Sequence, residues 1–367
     1  MAHRRWLVPW KNSCENPAIY HCVARVVDKR FAFEDGDKEQ FRFYMRMMEK
    51  FSGCQVLAYC VMGNHFHLML EVTRRPDEVL TDEELLTRLQ ALYSEAFVAT
   101  VAKELSAVRK VAVMGTPEDI EANVQRIHRR FTYRMHDLSE FMKTLLQRFT
   151  RWHNTRTKRC GNLWEETFKS TIVEAGFASK TVAAYIDLNP VRAGITNYPA
   201  EYRWSSYGEA MGATGRSGVR ARAGLVRALR AHNGWVADVR KWPGEVSRSY
   251  RMLLLEQGVE KTEEVVIETG ETEVGVKRKG MRRELAAAEM ASLRGEHDLT
   301  LGKMLHCRVR YFADGAVIGS REFVEAVFQE SRERFGLKRK NGARSLRGNG
   351  LAAYGRLWSI RDLKKEV

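Results

Sequence analysis

Hydrophobic and polar positions alternate with the strand period or repeat with the helical period through the first 210 residues. Strand-like stretches at 18–27, 54–62 and 61–72 enclose one segment of helical spacing at 37–50. A helix at 139–154, a strand at 167–175 and a helix at 179–191 follow. The order strand–helix–strand–strand–helix–strand–helix predicts an α+β domain with a ferredoxin-like antiparallel sheet and helices on one face.

The remaining patterns predict additions to this domain. Residues 74–138 are charged and helical in spacing, so they are predicted to be a helical insertion within a catalytic domain of residues 1–210. Residues 211–280 are predicted to be a linker, Gly- and Arg-rich at 212–224, and a helical segment. Residues 281–367 are predicted to be a basic, mostly helical C-terminal region that could bind DNA, with a helix-turn-helix-like pair at 314–335.

The net charge of the chain indicates the kind of partner that it binds. The chain has 61 Lys and Arg against 46 Asp and Glu, a formal charge of +15. Such an excess favours a polyanion, with nucleic acid ahead of a membrane surface, although a soluble basic protein would share it. The six cysteines are scattered without a CxxC pair, which is typical of a reduced, intracellular protein. With no signal-like or membrane-spanning run, a cytoplasmic location is expected.

Two histidines interrupt an otherwise apolar strand, "VMGNHFHLMLEV". Because side chains alternate across a strand, His65 and His67 share one face while Phe66 and Leu68 share the other. Two imidazoles side by side suit a divalent metal ion. A catalytic pair and ordinary polar residues on a solvated face of a half-buried strand are the alternatives, because His-x-His strands also occur by chance.

A second group of candidate residues lies in the predicted helix at 179–191. Tyr185 and Asn189 are four residues apart and therefore share a helix face. A phenol can attack a phosphorus whose oxygens are polarised by a metal, and the amide could complete the metal shell or hold DNA. The alternative for Tyr185 is a half-buried tyrosine with a packing role.

Four motifs carry a resemblance to a known family: "VMGNHFHLML", "GNLWEETFKS", "YIDLNPVRAGI" and "YRWSSY". In this order they resemble the single-tyrosine HUH transposases of the IS200-like superfamily, particularly the REP-associated tyrosine transposases. The resemblance spans roughly residues 14–208 without the insertion. It implies a ferredoxin-like catalytic domain that cleaves and rejoins single-stranded, hairpin-bearing DNA with Mg²⁺ or Mn²⁺ and without ATP.

The resemblance also implies roles for individual residues. His65 and His67 become metal ligands, Tyr185 becomes the nucleophile that forms a 5′-phosphotyrosyl link, and Asn189 takes the position of a further polar ligand. Two positions depart from the family pattern. Gly63 stands where many relatives have proline, and Thr167 stands where a basic residue is expected, which could weaken a phosphate contact.

Basic residues outside these motifs are candidates for DNA contact. The candidates on and after the helix at 139–154 are Lys143, Arg148, Arg151, Lys158 and Arg159, and those in the tail are Lys338, Arg339 and Lys340. A solvated basic face is the alternative for the helix. His21 and Arg25 share a face of the first strand and could approach the histidines, or serve structurally.

Three functions remain open on this sequence. The preferred one is a DNA strand transferase with a tyrosine nucleophile. The second is a domesticated, non-cleaving DNA-binding regulator of the same fold, and the third is a phosphodiesterase in which water attacks. The sequence does not distinguish a monomer from a homodimer.

Overall fold

The first half of the chain forms the predicted alternation of strands and helices. The computed structural model describes residues 7–8, 18–110, 116–229, 242–266, 272–293, 316–335, 338–346 and 357–360. The elements up to residue 173 are β1 (Ala18–Arg25), α1 (Asp35–Ser52), β2 (Gln55–Val61), β3 (His65–Val72), α2 (Asp82–Leu89), α3 (Glu95–Lys110), α4 (Pro117–Thr132), α5 (Leu138–Thr157) and β4 (Lys169–Val173). Helices α2–α4 fall within residues 74–138, as the sequence predicts.

The second half adds both helices and strands. They are α6 (Phe177–Asp187), α7 (Asn189–Arg192), α8 (Ser206–Gly212), α9 (Gly215–Leu229), α10 (Ser247–Gly258), β5 (Lys261–Val266), β6 (Thr272–Arg278), α11 (Arg283–Leu293), β7 (Val317–Gly319), α12 (Arg321–Glu330), β8 (Arg344–Ser345) and β9 (Trp358–Ile360). Among the described residues, every helix is too short or too polar to span a membrane.

The central sheet has the order β2-β3-β1-β4-β7-β9-β8. Its first four strands are antiparallel, with β1 between β3 and β4 and with β2 at the edge. Helices α1 and α5 cover one face, where the Phe41 ring lies 4.6 Å from Phe66 and 5.2 Å from Phe149 between centroids. The predicted ferredoxin-like α+β fold is therefore confirmed.

Helices also cover the opposite face of the sheet, which the sequence does not predict. Helices α6 and α9 pack against β2, and Arg227 of α9 pairs with Glu71 of β3. Strand β3 is consequently buried on both faces, not half-buried as its alternating pattern indicates. The histidine face of β3 is thus enclosed between the sheet and α6.

The described part of the C-terminal region contains strands besides the predicted helices. Strand β7 pairs in parallel with β4, β9 pairs with β7, and β8 pairs with β9, so residues after 316 extend the central sheet. The helix-turn-helix interpretation of 314–335 is wrong for the described part, because β7 precedes α12 and Val324, Val327 and Phe328 of α12 are buried. A short apolar run such as "AVIG" does not distinguish a buried strand from a helix.

The predicted linker at 212–224 is also wrong, since most of it belongs to α9. Its glycines allow close packing and do not provide flexibility. A Cβ atom at Gly224 would lie 2.3 Å from the carbonyl oxygen of Val56, and one at Gly218 would lie 2.1 Å from that of Ala213. Gly224 therefore lets α9 lie directly against the backbone of β2.

Gly224→Ala is expected to lower the free energy of unfolding by about 1–3 kcal/mol, because the added methyl forces α9 away from β2. The helix preference of alanine opposes this loss by at most about 1 kcal/mol. Chemical denaturation measures the effect. Gly212→Ala is the matched control, since a Cβ at that position meets nothing within 4 Å. A Gly224→Ala protein as stable as the wild type would contradict the packing role of this glycine.

Candidate active site

His67 lies at the centre of the enclosed face and is only 3% exposed. Its Nδ1 lies 3.0 Å from Nε2 of His21, and the two rings are stacked with centroids 5.2 Å apart. Val23 is opposite His67 in the β1–β3 register, so His21, two residues earlier, shares its face. Because His21 engages Nδ1, Nε2 is the nitrogen of His67 left to bind a metal ion.

His65 is oriented by its chain neighbour. Its Nδ1 lies 2.7 Å from Oδ1 of Asn64, whose amide nitrogen donates to the carbonyl of Lys29 at 2.8 Å. Since the Asn64 oxygen accepts, Nδ1 of His65 carries the proton and Nε2 is left with its lone pair. The rings of His65 and His67 are 5.1 Å apart between centroids.

The electrostatic surroundings keep both imidazoles neutral. Burial lowers the pKa of His65 to about 4, assisted by the charge of Arg25, which lies directly across the β1–β3 pair. Burial likewise holds the pKa of His67 well below its ordinary value, with smaller effects from His21, His65 and Arg25. Neutral imidazole is the form that binds metal ions.

Tyr185 faces this histidine cluster from α6 and is 4% exposed. Its ring meets His67 edge-on at 5.5 Å and His21 edge-on at 6.1 Å between centroids. The guanidinium carbon of Arg192 lies 5.3 Å from the centroid of the same ring. The fold thus brings the tyrosine motif and the histidine motif together, although more than 100 residues separate them in sequence.

Asn189 lies where α6 passes into α7. Its amide nitrogen donates to the carbonyl oxygens of Tyr185 at 2.9 Å and Ile186 at 3.3 Å, which satisfies the last turn of α6. Because the nitrogen is engaged, Oδ1 is the side-chain atom left for a cation. Asn189 therefore supports the helix that carries Tyr185, whether or not it binds a metal.

The residues present fit a divalent cation that keeps open coordination positions. Two neutral imidazoles and one amide oxygen are metal-ligand types, and Mg²⁺ and Mn²⁺ take further oxygens from water or a phosphate. Within the described residues, no group of three or more His, Cys, Asp or Glu could hold a metal ion. A cation held by His65, His67 and Asn189 would take its remaining ligands from water or a phosphate.

The predicted DNA-contacting residues of α5 and its end divide into two kinds. Arg148 donates to the carbonyl of Leu92 at 3.0 Å, so it ties the insertion to α5. Lys143 and Arg151 are exposed, although Lys143 also pairs with Glu140 of its own helix at 3.2 Å. Lys158 and Arg159 follow α5 as an exposed and a half-buried cation, respectively.

The predicted residues of the tail divide in the same way. Arg339 donates to the carbonyl of Gly342 at 3.1 Å and lies 4.9 Å from the ring centroid of Phe335. It therefore stabilises the fold of the tail. Lys338 and Lys340 are exposed and remain available to a polyanion.

Arg192 is the site residue that sequence reasoning does not single out. Its signal is its spacing, because it follows Tyr185 by seven residues, which in a continuous helix returns to the same face. Because the sequence predicts that the helix ends near Pro190, the shared face of Tyr185 and Arg192 is not evident from the sequence. His21 is among the sequence candidates, but its contact with His67 follows only from the strand register.

Comparison with known families gives a match over part of the chain. Residues 15–80 match the family described as "Transposase IS200 like", which confirms the resemblance over the segment that carries His65 and His67. The match supports a transposase-type function and does not extend to Tyr185.

A solved structure described as "Structure of the REP associates tyrosine transposase bound to a REP hairpin" is similar at a TM-score of 0.34 and 9% identity, covering 59% of this chain and 93% of that chain. No curated protein matches the chain.

Proposed function

We propose that the chain is a metal-dependent DNA transposase, a nickase and strand transferase that acts on single-stranded DNA bearing a hairpin. The observation that carries this proposal is the edge-on packing of Tyr185 against His67 at 5.5 Å, which brings a nucleophile to a pair of neutral imidazoles. The family match over residues 15–80 supports the same class. Formation of a covalent protein–DNA adduct, lost in Tyr185→Phe, tests it.

The proposed reaction is a transesterification. The phenol oxygen of Tyr185 attacks the scissile phosphorus and forms a new P–O bond, while the bond between phosphorus and the 3′ oxygen breaks. The phenol proton is transferred to that oxygen, which leaves as a 3′-hydroxyl, and the 5′ phosphate stays on the tyrosine. One phosphoester bond replaces another, so the reverse attack by a 3′-hydroxyl rejoins DNA without a nucleotide cofactor.

The residues around Tyr185 have separable roles in this proposal. His65 and His67 would hold Mg²⁺ or Mn²⁺ through Nε2, with Oδ1 of Asn189 as a further ligand. When bound, the cation stabilises negative charge on the phosphate oxygens. Arg25, across from His65, and Arg192, beside the Tyr185 ring, add positive charge for a phosphodiester.

DNA binding by this protein is expected to weaken steeply with salt, because its +15 charge would release counterions from the phosphates it neutralises. For a single strand, each phosphate contact contributes about −0.7 to the slope of log K against log salt concentration. Fluorescence anisotropy with a labelled hairpin at several salt concentrations, in EDTA to prevent cleavage, measures that slope.

Arg151→Gln and Lys158→Gln together should flatten this slope, since both side chains are exposed at the end of α5. Lys103→Gln is the matched control, because it removes an exposed charge from the insertion. Binding that does not change with salt would remove the case for a polyanionic substrate.

A further inference from the structure

A second feature of the fold is a cavity of about 450 Å³ at the β2 edge of the sheet. The lining includes residues of α1, β2, α2 and α9. Four of these residues are cations, namely Lys50, Arg88, Arg220 and Arg227. The volume lies in the range of pockets that bind small ligands.

The acidic residues near this cavity are already neutralised. Glu49 accepts from Arg46 at 2.8 Å and from the backbone N–H of Val56 at 2.7 Å. Arg227 is paired with Glu71, to which its Nη2 donates at 2.7 Å. The charge of Glu49 is thus compensated by Arg46, and that of Arg227 by Glu71, so neither contributes to the net charge of the cavity.

Three cations of the lining remain in excess. Among the described residues, no carboxylate oxygen lies within 4.0 Å, the limit for an ion pair, of a side-chain nitrogen of Lys50, Arg88 or Arg220. Arg88 makes one hydrogen bond, to the carbonyl of Phe51 at 3.3 Å, and Arg220 is half-buried in the wall. Half-burying an arginine without an acid is unfavourable unless an anion accompanies it.

The walls of the cavity are held in place by close backbone contacts. Gly53 has φ +75°, and a Cβ atom there would lie 2.5 Å from the ring of His136 and 3.1 Å from Arg88. Gly224 packs against Val56 on the other wall. The helices α1, α2 and α9, which carry the three cations, are thus held close together around one space.

We propose that this cavity binds a phosphate group, with Lys50, Arg88 and Arg220 as its ligands. Arginine forks and a lysine ammonium are the side chains that recognise phosphate oxygens in proteins. Of these residues only Lys50 lies within the family match, while Arg88 belongs to the insertion and Arg220 to α9. The insertion and α9 thus meet the family-matched segment around this cavity.

The source of the phosphate, on the proposed function, is the backbone of the bound DNA. Cys60 pairs with His67, and Gln55 of the cavity lies five residues earlier on β2. Five strand residues span roughly 17 Å, which corresponds to about five nucleotide steps of a stacked strand. A strand cut at Tyr185 could therefore place a neighbouring phosphate in the cavity. A free nucleotide is the other ligand that could supply the phosphate group.

Arg220→Gln in the full-length chain tests the site. In EDTA, its affinity for a single-stranded hairpin DNA should fall about tenfold and its salt slope should flatten by about 0.7, the contribution of one phosphate contact. Arg220→Lys, which keeps the charge, should recover most of the affinity. Arg216→Gln, an exposed arginine one turn earlier on α9, is the matched control and should bind as the wild type does.

A second arm identifies the source. Thermal unfolding with inorganic phosphate or a nucleoside monophosphate should shift in the wild type and not in Arg220→Gln if the cavity takes free phosphates. If Arg220→Gln weakens DNA binding but free phosphates do not shift the unfolding of the wild type, the cavity binds the DNA backbone. The proposal would be overturned if Arg220→Gln, Arg216→Gln and the wild type had the same DNA affinity, the same salt slope and the same response to phosphate. None of these measurements needs cleavage, so failure of the tyrosine chemistry would appear separately, as an absent adduct.

Discussion

Tyr185→Phe is expected to abolish the covalent protein–DNA adduct while the fold and DNA binding persist. The substitution removes only the attacking oxygen. The phenylalanine ring keeps the edge-on contacts with His67 and His21 and the position under Arg192. No phosphotyrosyl bond can form without the phenol oxygen, so the loss should be complete within detection.

A labelled single-stranded hairpin incubated with Mn²⁺ or Mg²⁺ and then denatured gives the measurement. Wild type should show a shifted covalent band, and Tyr198→Phe, the same change at a half-buried tyrosine after α7, should show it too. An adduct from Tyr185→Phe would mean that another residue is the nucleophile. Cleavage without an adduct would favour a hydrolase, and a wild type that binds but never cleaves would favour a non-cleaving regulator.

His65→Ala and His67→Ala are expected to reduce cleavage to the level seen with EDTA, because each removes one of the two imidazole ligands proposed for the cation. Affinity for Mn²⁺, measured by titration calorimetry without DNA, should fall in parallel. DNA binding should survive in part, since exposed cations such as Lys143 and Arg151 lie elsewhere, on α5.

Loss of stability needs its own control in this experiment. His67→Ala removes the hydrogen bond between His67 and Nε2 of His21, which costs about 1–3 kcal/mol. His128→Ala is matched to it, because His128 is also buried and bonds Asp82 in the insertion at 2.8 Å. That variant should lose comparable stability and retain cleavage. Alanine variants of the strand histidines that cleave normally in EDTA would make those histidines structural.

The order of the strands and the helix that carries Tyr185 could be predicted because their signals are local. Alternation places His65 and His67 on one face, and a helical period carries Tyr185 and Asn189 together. The contact between His21 and His67 could not be predicted in this way. It depends on the β1–β3 register, which no single strand specifies.

The largest differences between prediction and structure lie where tertiary packing overrides the local sequence pattern. Gly224 suggests a linker, yet it permits α9 to approach the backbone of β2 closely. Residues 317–319 are predicted to belong to a helix-turn-helix-like pair, yet they form a strand of the sheet that begins at residue 18. Both outcomes depend on partners distant in the sequence, which a local pattern cannot contain.

The parallel pair of β4 and β7 has a consequence for synthesis of the chain. Ile172 emerges from the ribosome long before Val317, with which it pairs. At about 5–20 residues per second, the outer edge of β4 stays open for on the order of ten seconds. Open edges recruit foreign strands, so this interval is when the nascent protein is most exposed to aggregation. The central sheet is complete only after Trp358–Ile360 has been made, long after α6, the helix that carries Tyr185, has emerged.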